Sequence, residues 1–165
     1  MRVLVQRVSE ASVTVDDRVA GSIGVGLLLL VGIAGSDNDS DLQTMAAKVA
    51  NLRIFEDDHG RMNLSALDRL AIDVPASVLA VSQFTLFGDV RKGRRPSFIS
   101  AAPPDRAASM IERFAGYLSG LGLAVEQGEF GAHMMVSLVN DGPVTIWIDS
   151  DDLAQPRRGS ESAAQ

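Results

Sequence analysis

The chain has 165 residues, 46% of them apolar, with 15 Lys and Arg against 21 Asp and Glu for a formal charge of −6, and it contains no cysteine. That length and apolar share suffice for one domain with a sizeable core. The missing thiols exclude a disulfide framework, a cysteine nucleophile and thiolate zinc sites, while the acidic balance argues against nonspecific coating of nucleic acid, which rests on many cations meeting phosphates.

The first segment interleaves charge with apolar residues (Arg2, Arg7), so it does not read as a signal core, and the longest apolar run, Val25 to Ala34, is too short to span a bilayer. A cytoplasmic protein is expected. The start reads as a β-meander. Strands are predicted from Val3 to Val8, over Ser12-Val13-Thr14-Val15 with strict alternation, and from Arg18 to Ile23, with Asp16-Asp17 as the turn. Gly26 to Ile33 lacks alternation and predicts a strand covered on both faces, by helices or by a partner subunit. Asp37 to Asp41 offers N-cap candidates for a first helix, whose Leu42, Met45, Ala46, Val49 and Leu52 recur at helical spacing.

Glu56-Asp57-Asp58-His59-Gly60 is turn chemistry, and Val78 to Val81 predicts a central strand that leads into the polar Ser82-Gln83-Phe84-Thr85. Arg91-Lys92-Gly93-Arg94-Arg95 gathers four cations in an acidic chain; on composition alone it is a solvated loop, though such a cluster is also able to meet a few phosphates. Pro103-Pro104-Asp105 opens a second helix, with Met110, Ile111, Phe114, Ala115 and Leu118 as its buried stripe and Gly120 and Gly122 at its end. Two further strands are expected, Met134 to Val139 and Val144 to Ile148, joined by Asn140-Asp141-Gly142-Pro143 as a hairpin turn. Residues 150–165 read as a disordered polar tail behind a single domain over 1–149.

A nucleophile triad needs a base, and the chain offers only His59, in an acidic turn, and His133, before a strand. Neither belongs to a triad or to His-Glu-x-x-His spacing, so no metal and no cofactor is expected. Ser82-Gln83-Phe84-Thr85 is the alternative. Its hydroxyls and amide could simply satisfy local backbone groups, or a hydroxyl, an amide and free backbone N–H groups could together surround an ester oxygen as it becomes an oxyanion.

Several long segments together resemble the D-aminoacyl-tRNA deacylase family in its bacterial and eukaryotic form. They are Gln6 to Val15, Asn51-Leu52-Arg53-Ile54-Phe55, Met62-Asn63-Leu64, Ser82 to Leu86, Arg94-Arg95-Pro96-Ser97-Phe98 and Val136 to Thr145. The resemblance implies an α+β fold with a curved, mostly antiparallel sheet covered by two principal helices. It implies a homodimer in which Gly142 and Pro143 of one subunit, joined by a cis bond, enter a site formed by Ser82, Gln83, Phe84 and Thr85 of the other. In that reading the Gly-Pro carbonyls bind the substrate amino group and leave no room for an L side chain. Phe130 and Met134 line the pocket for the terminal adenosine, with Ala107 beside it. The implied activity is hydrolysis of D-aminoacyl-tRNA, and of mischarged glycyl-tRNA, at the 3′ end, with a ribose hydroxyl assisting water. The implied oxyanion donor is the Phe84 backbone N–H, with Ser82 and Gln83 holding the adenosine end and the ester and Thr85 in a structural or positioning role. His133 stands where many relatives have Asp, and the tail passes the usual family end. A noncatalytic nucleic-acid binder using Arg91 to Arg95, and a hydrolase of small esters or amides unrelated to tRNA, are the alternatives.

Overall fold

The computed structural model describes residues 1–74 and 76–155. Its organising element is β1 (Arg2–Val15), a single 14-residue strand where two strands were expected. The interruption seen in the sequence, Ser9-Glu10, is an exposed stretch where the register against the last strand shifts, so the chain bulges without breaking. The first half of β1 pairs antiparallel with β3 (Gly26–Gly32), and the second half with β2 (Arg18–Ile23). Asp16 and Asp17 form the turn between β1 and β2, both at positive φ.

β3 continues parallel to β6 (Ser77–Ser82), and β6 parallel to β7 (Val125–Gln127). Parallel neighbours require crossovers. The first crossover contains α1 (Asp39–Ala50), a small hairpin of β4 (Phe55–Glu56) and β5 (Met62–Leu64), and α2 (Ala66–Ala71); the second contains α3 (Pro104–Gly120). With three antiparallel and two parallel pairings, the sheet is mostly antiparallel and α1 and α3 are its principal helices. None of the helices described is long and apolar enough to cross a membrane.

The sheet curls until β2 lies against β6 and β7, nearly closing a barrel. Gly21 permits that approach, since a Cβ there would stand 2.6 Å from the Gln127 carbonyl oxygen. Curling creates two cores. Leu27, Leu29 and Val31 pack against Leu42, Met45, Phe114 and Leu118 of the helices, while Leu28 packs with Val8, Val13, Leu79 and Val81 inside the curl. That division explains the missing alternation in β3: both faces are dry, covered by this chain's own helices and its own curled sheet. Phe114 is fully buried between α3 and the sheet. Phe114→Ala is expected to cost ~3–5 kcal/mol, a fall of roughly 6–20 °C in melting temperature for a chain of this size; thermal unfolding measures it, and a shift of only a degree or two would contradict this docking of α3.

Helix ends follow local chemistry. Asn38 caps α1 in a reciprocal capping box with Asp41, whereas Asp37, also a candidate cap, is buried and instead accepts from the Met1 amino group (2.5 Å) and the Ala34 N–H (2.6 Å). α3 opens on Pro103-Pro104 and closes at Gly120, with Gly122 at positive φ just beyond.

Two C-terminal expectations are corrected. Met134–Val139 and Val144–Ile148 are not arms of a hairpin but parts of one strand, β8 (Met135–Asp149), both antiparallel to β1. Thr145 stands opposite Gln6 and Asn140 opposite Val8, so residues 141–144 loop out at Arg7 while the chain keeps its direction. Residues 150–153 form a helical turn, α4 (Ser150–Leu153), tied to the N-terminus by Ser150 N–H donating to the Met1 carbonyl at 2.9 Å. The rest of the expected tail, 156–165, lies outside the described residues.

Candidate active site

The buried run Val78 to Val81 of β6 delivers Ser82 and Gln83 to the strand's end, where Gln83 N–H still donates to Val31 (2.7 Å) before the chain tightens into a 3-10 turn, Phe84–Phe87. The first N–H groups of such a turn, those of Phe84 and Thr85, have no acceptor within it. The opposite wall comes from the start of α3, where Ala107 and Ile111 face inward, and the floor from Val31, Val81 and Val136. Residues 128–134 close the remaining side, held to β6 by the Gly128 N–H on the Ala80 carbonyl at 3.0 Å.

The result is a cavity of ≈ 530 Å³ lined by Ser82, Gln83, Phe84, Phe98, Ala107, Phe130, His133, Met134 and mostly apolar neighbours. Its size suits a nucleoside-sized ligand, and its polar side chains are Ser82 and Gln83 at the end of β6 and His133 in the segment 128–134. Phe84 is 58% exposed and meets Phe98 edge-on at 5.0 Å, so the two rings stand at the mouth. His133 is the one titratable side chain in the lining, and it is exposed at the rim. Among the described residues His133 makes no hydrogen bond to a hydroxyl, so no nucleophile and base are paired here.

Six of the nine residues singled out in the sequence thus surround one cavity: Ser82, Gln83, Phe84, Ala107, Phe130 and Met134. Thr85 does not line it. Its exposed hydroxyl accepts from the Gln83 side-chain amide, an arrangement that orients Gln83 rather than attacking substrate. Gly142 and Pro143 lie apart from it, exposed in the loop of β8. From Val136, at the cavity, to Asn140 alone is four residues of extended strand, about 13 Å.

That loop is braced in a way the sequence reading missed. Arg7 alternates with Val3 and Val5 on the inward face of β1 and is buried. Its Nη1 donates to the Ile54 carbonyl at 2.6 Å and its Nε to the Asp141 carbonyl at 3.2 Å, with the Asp141 carboxylate also 3.2 Å from Nε. Asn140 Nδ2 reaches Thr145 Oγ1 across the base of the loop at 2.8 Å. Gly142 has φ +118°, the peptide to Pro143 is cis, and a Cβ on Gly142 would lie 2.9 Å from both Arg7 Nη2 and Val144 Cγ2. Glycine is required there for two independent reasons. The available signal was a charge at an inward position of an alternating strand.

A family model described as D-Tyr-tRNA(Tyr) deacylase matches residues 4–149, which include every residue of the cavity and of the braced loop. The chain belongs to that family. A D-aminoacyl-tRNA deacylase of Thermomicrobium roseum is 61% identical over 153 residues, covering 93% of this chain and 96% of the relative. Another, of Roseiflexus castenholzii, is 55% identical over 161 residues, covering 98% and 99%. Among solved structures, one named c-Myc DNA Unwinding Element Binding Protein superposes with a TM-score of 0.82 at 39% identity, covering 90% of this chain and 98% of that one.

Proposed function

We propose that the cavity receives the aminoacylated 3′-terminal adenosine of tRNA and that the protein hydrolyses the ester of D-aminoacyl-tRNA, releasing the free D-amino acid. The observation that carries this reading is the lining of a mostly apolar cavity: three consecutive residues, Ser82 and Gln83 at the end of β6 and Phe84 at the start of the 3-10 turn, bring a hydroxyl, an amide and a backbone N–H to it. Family membership favours hydrolysis over the noncatalytic nucleic-acid binder, and the enzyme acts in the cytoplasm, where aminoacyl-tRNA is used.

Water attacks the ester carbonyl carbon, the bond from that carbon to the ribose oxygen breaks, and the ribose oxygen leaves with a proton. The neighbouring ribose hydroxyl positions the water, since the one titratable side chain of the lining, His133, stands exposed at the rim. The Phe84 N–H stabilises the oxyanion, a contribution of the kind that preorganised donors make in a water-poor site. Ser82 and Gln83 hold the ester, Thr85 fixes the Gln83 amide, and Phe130, Met134 and Ala107 pack on the adenosine.

Chirality is read by a second subunit. Gly142 and Pro143 are solvent-facing in the single chain and stand away from its cavity, and the outward face of β8 around them leaves Met135, Val139 and Trp147 46–62% exposed. An apolar strip of this kind on a sheet suits a self-complementary contact. Across it, the loop of one chain reaches the cavity of the other and occupies the volume an L side chain would need, while glycine, which has no side chain, is accepted. Incubating the purified protein with D-tyrosyl-, L-tyrosyl- and glycyl-tRNA tests this: the D and glycyl esters are expected to be cleaved and the L ester spared. Equal loss of D and L esters would remove the filter, and a surviving glycyl ester would remove the exclusion mechanism in particular.

A further inference from the structure

The cavity chemistry leaves one motif unused. Arg91, Lys92, Arg94 and Arg95 fall within five residues of a chain whose net charge is −6. Asp89 and Ser97 exchange two backbone hydrogen bonds, of 2.8 and 2.9 Å, and so pinch the cationic segment into a closed loop. Arg91 folds back on Asp89, with Nε–Oδ1 at 2.9 Å, Nη2–Oδ2 at 2.6 Å and its N–H on Oδ1 at 3.0 Å. Those side-chain and backbone hydrogen bonds from Arg91 hold the Asp89 carboxyl down to about 2, so the brace stays ionised at any working pH. Arg91 therefore serves the loop itself. Lys92, Arg94 and Arg95 are exposed and have no ion-pair partner among the described residues.

The loop's place gives these cations a purpose. The residue after the pinch is Phe98, which lines the cavity and meets Phe84 at its mouth. With about three residues in each arm, the loop tip stands no more than roughly 10 Å beyond the pinch, within reach of the chain of any polynucleotide whose last nucleotide occupies the cavity. We propose that Lys92, Arg94 and Arg95 form a phosphate clamp on the RNA strand immediately upstream of that terminal nucleotide. The proposal rests on the reading that the cavity takes the 3′ end of tRNA. A small cationic feature on an acidic surface attracts a polyanion at one place and repels it elsewhere, which sets the docking orientation as well as adding affinity. Phosphate contacts carry no sequence information. They suit a site that inspects the ester and not the identity of the tRNA.

The test compares two substrates, D-tyrosyl-tRNA and the D-tyrosyl ester of adenosine, with wild type, K92Q/R94Q/R95Q and the charge-keeping K92R/R94K/R95K. For the glutamine variant, KM for the tRNA is expected to rise on the order of ten- to a hundredfold near 0.1 M salt, and the slope of log kcat/KM against log salt to flatten by about 2, as for three lost contacts to a single strand. Cleavage of the adenosine ester stays at the wild-type rate, and the charge-keeping variant retains the salt slope. An unchanged KM and slope with tRNA would overturn the clamp. Equal losses on both substrates would overturn it too, because the loop would then be shaping the cavity. Binding of uncharged tRNA, followed by fluorescence anisotropy, separates this proposal from the functional reading: a wild type that binds through the loop but cleaves neither ester leaves the clamp standing and removes the hydrolytic reading.

Discussion

Arg7→Met is expected to lower stability by about 3 kcal/mol, since charge-assisted hydrogen bonds of this kind contribute ~1.5–3 kcal/mol each and the Ile54 carbonyl is left buried without a donor. For a chain of this length that is a fall of roughly 6–12 °C in melting temperature. The loss does not come from stranded charges. The Asp141 and Glu56 side chains near the guanidinium are 53% and 59% exposed, so water solvates them once Arg7 is gone. Activity should fall further than stability alone explains. With the Asp141 carbonyl released, Gly142 and Pro143 lose their fixed position, and a displacement of ~1 Å at such a site costs about a hundredfold in rate. Arg7→Lys should rescue little, because a single ammonium cannot reach the Ile54 and Asp141 carbonyls in the geometry of a planar fork. The diagnostic readout is the ratio of D- to L-tyrosyl-tRNA cleavage below the melting temperature. A variant that is less stable yet equally active and selective would make Arg7 a core residue with no part in the site.

Arg7 also shows where reading the sequence stops. Helical spacing in Leu42 to Val49 and in Met110 to Leu118 identified both principal helices, because one apolar stripe on one packed face is a local pattern. The unbroken apolar run of β3 likewise indicated a strand dry on both sides. Non-local pairing was less visible. Asn140-Asp141-Gly142-Pro143 has the composition of a reversing turn, and nothing within four residues states that the strand resumes its course beside β1. The same partner explains why Ser9-Glu10 did not end a strand: β1 is held together by neighbours on both edges. Polar residues at the exit of a buried strand marked Ser82 and Gln83 as candidates, whereas the family resemblance was needed for Phe130, Met134 and Ala107, which by themselves are ordinary apolar residues. Arg7 sat inside a matched segment and still passed unremarked, since its role depends on a loop more than 130 residues away.

The proposed sharing of one site between two chains has a consequence that a single-chain site cannot imitate. Gly142→Ala places a methyl where φ is +118° and where Arg7 and Val144 already stand at 2.9 Å, so the loop must move. Ala107→Phe instead fills the cavity that Ala107 lines, with its own loop intact. On that proposal each variant alone should lose at least about a hundredfold in kcat/KM for D-tyrosyl-tRNA, the first by misplacing the loop and the second by blocking the nucleoside. Refolding the two variants together then assembles mixed dimers, in which the open cavity of the Gly142→Ala chain faces the intact loop of the Ala107→Phe chain. Random pairing makes half the dimers mixed with one sound site in each, so about a quarter of wild-type activity should return from two inactive proteins. A mixture as inactive as its components would place Gly142 and the cavity in the same chain's site, or in none, and the stereochemical filter would need another source.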